Sequence, residues 1–453
     1  MTQLFHHKII TLILIFAAMV SIFISHWAWA GTLTFSFNES VEMALKNNDQ
    51  IRATKYDIDL SKAKLEQAHP KSIPVVKYEY RLAPVPQDID NPADSFFGGD
   101  ISVFNEVKVE LGSALTTFGK IKTAQELAQL GINAAWFKRS KTTNEVIGKM
   151  YQVYEGIILA RELLALAKQA QNALSDKIQD LEKEKIQDQI QILKLKVALF
   201  EIDRRVEEAQ KKKLLAFEAL KFQMGLVSDV NIDIKDKTLL PVNFQLKGVD
   251  YYLDKAHEYL PEFKLLATGL KAKEKQLALQ KLDPAPNLGV GGFVDVGRAP
   301  AIRGAGDENN FTNPFNFTKA GLGFQLQGQF DYVKNRSQVK QAEADLLKTV
   351  YEKRAAVGGL ELDIRKTYQD VVEAKRLMIK SEDEKKVARQ LAFLTKSNAD
   401  IGIGEKKDYY DTLQSYLVFQ GRSFEAVYNY NIAVAMLKQK IGVFHDYQKR
   451  DSL

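Results

Sequence analysis

The chain has 453 residues, a formal charge of +6 and no cysteine. The last fact excludes disulfides, thiolate metal sites, a cysteine nucleophile and a lipidated N-terminal cysteine, so packing and assembly must stabilise the fold. A mild cationic excess over many mixed charges describes a solvated surface and argues against nucleic acid as a partner. At the N-terminus Lys8 precedes the apolar run "IITLILIFAAMVSIFI", and Ala28 and Ala30 stand where signal peptidase needs small residues. Residues 1–30 therefore read as a signal peptide, with a mature chain starting at Gly31 and carrying +5 (6 − 1). A membrane anchor is the alternative, but the run is short for a span and a cleavage site follows it. No later stretch approaches the roughly 18 apolar residues of a spanning helix, so a mature chain that crosses a membrane does so with strands.

From Pro74, "PVVKYEYRLA" places Val76, Tyr78, Tyr80 and Leu82 on one face and Lys77, Glu79 and Arg81 on the other, which predicts a strand near 74–83. Across a polar loop, "ISVFNEVKVELG" predicts a second strand over 101–112. There Ile101, Val103, Val107, Val109 and Leu111 alternate with Ser102, Phe104, Glu106, Lys108 and Glu110. No proline occurs between Pro92 and Pro241, so a helix from about Phe118 to about Leu181, roughly 95 Å long, is allowed. The returning helix carries a 4,3-spaced seam of coiled-coil type, Leu195, Leu199, Ile202, Val206, Ala209, Ala216 and Leu220, broken only by Lys213. Residues 229–250 read as a linker. Two more strands are predicted near 287–296, with Leu288, Val290, Val294 and Val296 on one side, and near 319–328. In the second of these, Ala320, Leu322, Phe324 and Leu326 oppose Gly321, Gly323, Gln325 and Gln327. No proline follows Pro314, and Leu413, Leu417, Phe424, Val427 and Val434 form a second seam with Gln420 and Asn431 as polar interruptions.

Residues 40–76 align without a gap on residues 252–288: Ala44 falls on Ala256, Ile51 on Phe263, Leu65 on Leu277 and Pro74 on Pro286. The chain thus reads as a duplicated half. Four strands cannot close alone, and open edges are excluded within a bilayer, but three copies give twelve strands, an even number in the range of outer-membrane barrels. The tyrosine face then meets lipid. Lys77, Glu79, Arg81, Glu106, Lys108 and Glu110 line a wet lumen.

The sequence resembles the TolC-like outer-membrane efflux proteins over essentially the whole mature chain. The resemblance is carried by "SVEMALKNNDQIRATKYDIDLSKAKLEQAH" and its second copy "YLDKAHEYLPEFKLLATGLKAKEKQLALQK", by "LTTFGKIKTAQELAQL" against "FDYVKNRSQVKQAEADL", and by the turn "IGIGEKKDYYDTL". It implies a mostly α fold with a β-barrel contribution: duplicated helical hairpins forming a periplasmic α-barrel, and four strands per chain in a twelve-stranded trimeric barrel. It implies export across the outer membrane of a Gram-negative-type cell, together with an inner-membrane pump and a periplasmic adaptor. The corresponding domains are the signal peptide (1–30), a first repeat (31–228), a linker in the mid-tunnel belt (229–250), a second repeat (251–442) and a C-terminal tail (443–453). Gly402 and Gly404 suit a helix-to-helix reversal. By the resemblance, Asp408 and Asp411 point into the pore where it narrows at the periplasmic tip; the plainer reading is that two acids favour the start of a helix. The arginine and tyrosine of the family's best-known gate fall on Gly404 and Ala399, so that closing network is not reproduced. The first-half tip, "DLEKEKIQDQIQ", has no glycine.

His69, His257 and His445 show no metal-ligand spacing, and the paired glycines of "GLGFQLQG" and "GAGDENN" lack the context of a phosphate cradle, so no cofactor is predicted. "DENN" (307–310) reads as a solvated loop. An enzyme is the weakest reading. The rival to a channel is a periplasmic coiled-coil adaptor or structural envelope protein without a pore, which would need the strands' apolar residues to face a protein core.

Overall fold

The computed structural model describes residues 32–68, 74–183, 189–227, 229–302, 314–404 and 406–444. The signal segment, His69, "DENN", His445 and the middle of the first-half tip lie outside the described residues. Ser36 starts helix α1 (Phe37–Asn47) with a capping box: the Glu39 N–H donates to its hydroxyl at 3.4 Å, and the Glu39 carboxylate accepts from the Ser36 N–H at 2.7 Å. There follow α2 (Asp49–Ala68), strand β2 (Val75–Pro86), a short helix α3 (Pro92–Gly98), β3 (Ile101–Thr116), α4 (Lys120–Lys183) and α5 (Gln189–Met224). The order then recurs as α6 (Val249–Tyr259), α7 (Pro261–Leu282), β5 (Asn287–Arg298), β6 (Phe317–Gln327), α8 (Tyr332–Asp400) and α9 (Lys406–Lys440).

Matching positions make matching junctions. The Asn48 N–H donates to the Ala44 carbonyl beyond α1, and the Leu260 N–H to the Ala256 carbonyl beyond α6, both at 2.8 Å. Gly225, with φ of +67°, closes α5 against Asn47, and Gly442, with φ of +75°, closes α9 against Tyr259 and Leu260. A Cβ at either glycine would strike backbone.

The described residues divide into two compact units. One comprises those up to Lys55, Phe137–Phe263 and those from Val357 on. Its core has two parts: Val41, Ala44, Ile147, Met150, Leu220 and Met224 in one, Leu253, Ala256, Ile364, Val371, Val434 and Leu437 in the other. The predicted seams face inward here, with Val206, Leu220, Leu417 and Val434 buried. The linker is not all loop. Its residues Ile232–Ile234 form strand β4, paired in parallel with β1 (Leu33–Phe35), and the Tyr154 hydroxyl donates to Asp236 at 2.6 Å beside them. Arg161 bridges to Asp233, and Lys235 to Glu39 at 2.6 Å. Asn431, fully buried, fixes the rest of the linker: its amide donates to the Leu240 carbonyl and Glu155, and accepts from the Val242 N–H at 2.9 Å.

The other unit comprises Tyr56–Trp136 and Lys264–Ala356. It holds an antiparallel sheet of order β2-β3-β5-β6 and the helix segments leading into it. Lys275–Glu126, Lys273–Asp345 and Lys281–Glu343 ion pairs at 2.6, 2.7 and 3.2 Å join those segments. Among the described residues no helix is long and apolar enough to cross a membrane.

Candidate functional site: the tip turn and the faces of the sheet

Helix α8 ends in a Schellman motif. The Ile403 N–H donates to the Asn398 carbonyl at 2.9 Å and the Gly402 N–H to the Ala399 carbonyl at 3.2 Å, which requires the left-handed φ of +76° seen at Gly402. Gly404 has no such φ; a Cβ there would sit 3.2 Å from the Asn398 Cβ, so close approach and not handedness favours glycine. Just past the turn, the Thr395 and Thr412 hydroxyls meet at 2.6 Å and tie α8 to α9.

Asp408 lies in the first turn of α9, and Asp411 follows one turn on, on the same face; both are exposed. Near Asp411 stands Lys177 of α4, which the sequence did not single out. Lys177 is only 6 % exposed and its ammonium stands 4.4 Å from the centre of the Tyr410 ring. Burial holds its pKa below the ordinary lysine range; the charge of Asp411 opposes that shift and Lys407 adds to it. At the first-half reversal Lys196 pairs with Glu182 at 3.0 Å, linking α5 to α4. His257 is exposed, 2.9 Å from Glu361 and stacked on Phe263.

The sheet sorts its side chains as the alternation predicts. Val76, Tyr78 and Tyr80 pair across strands with Leu111, Val109 and Val107, while Lys77, Glu79 and Arg81 pair with Glu110, Lys108 and Glu106. Opposite charges thus face each other three times in succession. Register extends one row across all four strands as Glu79, Lys108, Asp295 and Lys319. Asp295 and Lys319 were missed in the sequence, although their odd positions on β5 and β6 give them the charged face. Arg81 bridges Glu79 at 2.8 Å and Glu106 at 2.7 Å, and Lys108 bridges Glu110 at 2.7 Å. The apolar face is bare: Tyr78 is 85 % exposed and Leu322 93 %. A second bare stripe runs along α5, where Ile190, Leu193, Val197 and Phe200 repeat at 3,4,3 spacing and are all exposed. It lies about 200° round the helix from the inward seam at 3.6 residues per turn.

No protein-family model and no curated protein sequence matches the chain. Solved structures do. The chain is similar to a membrane protein from Pseudomonas aeruginosa at 16% identity and a TM-score of 0.73, covering 89% of this chain and 93% of the other. It is similar to the outer-membrane channel OprN at 14% identity and 0.72, covering 90% and 89%. With the CmeC outer membrane channel of Campylobacter jejuni the values are 16% and 0.71, covering 90% and 85%. The chain therefore has the fold of the TolC-like outer-membrane channels.

Proposed function

We propose that three copies of this chain form an outer-membrane channel-tunnel that exports cargo. The observation that carries this reading is the sheet: among the described residues nothing covers its aromatic and aliphatic face, and its edge strands β2 and β6 pair with no other strand of the chain. Hydrocarbon satisfies the face, and strands of further copies satisfy the edges. A pore-less adaptor would bury that face in a protein core. The fold shared with outer-membrane channels and the uncovered stripe on α5, which suits a neighbouring helix, support the same assembly.

In this reading residues 1–30 are removed as a signal peptide, residues 31–228 and 251–442 are two copies of one half, and the long helices stand in the periplasm. The charged face of the sheet lines the lumen. An inner-membrane pump drives export and a periplasmic adaptor joins pump to channel. Asp408 and Asp411 of three chains ring the narrowest aperture, and Lys177 with Tyr410 holds that turn of α9 against α4. Close carboxylates favour cations at such a ring. Single-channel recording on detergent-purified protein, sized by light scattering, is the test. We expect the mass of three chains, a conducting pore, and block by a trivalent cation from the periplasmic side that is lost when Asp408→Ala and Asp411→Ala are combined. A stable monomer would defeat the channel; unchanged block in an assembled double variant would return the aspartates to the role of a helix's first turn.

A further inference from the structure

The charged face of the sheet stops being charged at its loop end, the end away from the helix junctions. There Val85, Ser102, Phe104, Ala299 and Phe317 take the positions that Arg81, Glu106 and Asp295 take further along, because they share their alternation. All five are buried, while Ile101 and Val103 on the opposite face of the same strand are exposed. What covers them is the chain leaving β5 and entering β6. Ile302 and Phe315 pack on the cluster, and the Ala301 N–H donates to the Ser102 hydroxyl at 3.3 Å, so this segment lies over the charged-face side of the sheet. The Phe104 ring meets Phe315 edge-on at 5.5 Å and Phe317 at 6.5 Å. Gly297 is the seat for both strand rings: a Cβ there would lie 2.6 Å from Phe317 and 2.9 Å from Phe104. Asn316 completes the fold, since its side chain accepts from the Ala299 N–H at 2.8 Å and donates to the Ala299 carbonyl at 3.1 Å in place of a strand partner.

We propose that this aromatic cluster is a latch that folds residues 299–302 and 314–316 inward over the lumen wall, so that the outer mouth of the pore is narrowed at a second point, distinct from the aspartate tip. The inference rests on the channel reading. The constriction it makes is apolar at its base and takes three copies of Phe104, Phe315 and Phe317. It limits the size of what enters from outside. It also gives emerging cargo a last contact of aromatic character after the charge-paired rows.

The chain's lack of cysteine makes labelling a clean test. Ala301→Cys, on the inward segment, and Phe97→Cys, on the exposed β2–β3 loop, are compared in intact cells with a small maleimide and with a long polyethylene-glycol maleimide. The expected result is that both react with the small reagent, while the polymer reacts with Phe97→Cys and is excluded from Ala301→Cys. Adding Phe315→Ala, which leaves the strands untouched, should release the exclusion. Equal polymer labelling at the two sites would overturn the latch and leave the channel standing; failure of the small reagent to reach Phe97→Cys from outside would overturn the outer-membrane reading and the latch with it. A Phe315→Ala variant that still assembles as a trimer and keeps the exclusion would show that the aromatic rings do not hold the segment.

Discussion

Tyr80→Arg puts a charge where the channel reading places hydrocarbon. Tyr80 is the sixth of the 12 residues of β2, near its middle, and its face-mates Tyr78 and Val107 are exposed and apolar. An arginine near the bilayer midplane costs about 2–4 kcal/mol per copy, so three copies bring about 6–12 kcal/mol against the assembled barrel. Loss of the Tyr80 hydroxyl bond to the Asn105 amide oxygen, 2.8 Å long, adds a further penalty, because that oxygen then loses its hydroxyl donor on the apolar face. The matched control is Lys77→Ala on the charged face: its cross-strand partner Glu110 keeps Lys108 at 2.7 Å, so little is lost. Arg81→Ala should fall between the two, since it strands Glu106, a buried acid, without its 2.7 Å partner. The assay is the temperature at which the trimer dissociates in SDS, read on gels, together with yield in the outer membrane. Equal yields and equal dissociation temperatures for Tyr80→Arg and Lys77→Ala would refute the assignment of faces.

Gly402→Ala should cost about 1–2 kcal/mol by forcing a side chain into the left-handed region, and Gly404→Ala clearly less, as measured by thermal unfolding. Asn431→Leu keeps the volume but removes three hydrogen bonds at about 0.5–1.5 kcal/mol each, so urea unfolding should show a loss near 2–4 kcal/mol and proteolysis should find the 229–250 segment sooner. Burial holds the Glu155 carboxyl above the ordinary glutamate range and the Asn431 bond opposes it. Its folded state therefore holds a proton that the unfolded chain has released, so this group's contribution falls as pH rises from the ordinary range through the raised value, and more so in the Asn431 variant. Glu39 behaves oppositely: its hydrogen bond from Lys235 lowers its pKa to about 2, so the stabilisation is present above the ordinary range and disappears as pH falls towards that value. Lys235→Ala should flatten that acid limb in a pH series of urea midpoints.

The elements were legible where a period was long enough to repeat. Alternation marked each of the four sheet strands, strictly over the seven residues from Val76 to Leu82 and with interruptions at Asn105 and Gly292 in the second and third, and the placement of proline marked the helices, since one proline inside α4 or α8 would have interrupted the helix. The β1–β4 pair was not legible: three residues per strand, about two hundred apart, contain no period to read. Asn431 announced itself as a break in a seam, but its three partners lie on α4 and the linker, and only the fold brings them together. The stripe Ile190, Leu193, Val197 and Phe200 was present in the sequence beside the inward seam. It passes unnoticed when one seam per helix is sought, as in a bundle, whereas a helix in a closed ring has neighbours on both sides.

Alternation alone also sorts residues by face without saying what each face does along its length. Phe104 and Phe317 share a face with Glu106 and Lys319, and composition would set the two phenylalanines down as exceptions on a polar surface. Register removes the exception. It sets Gly297 between Glu106 and Phe317, and the space that its missing side chain leaves is where the Phe317 and Phe104 rings sit. The same register turns Lys77, Glu79 and Arg81 from a loose run of charges into three cross-strand pairs of opposite sign. In the proposed channel a lumen lined by this face would carry little net charge in those rows, because each acid faces a base across the strand. A charge preference would then be set elsewhere, and Asp408 and Asp411 are the candidates: Lys177 and Lys407 stand close to Asp411, so the double alanine variant measures whether the carboxylates outweigh these bases.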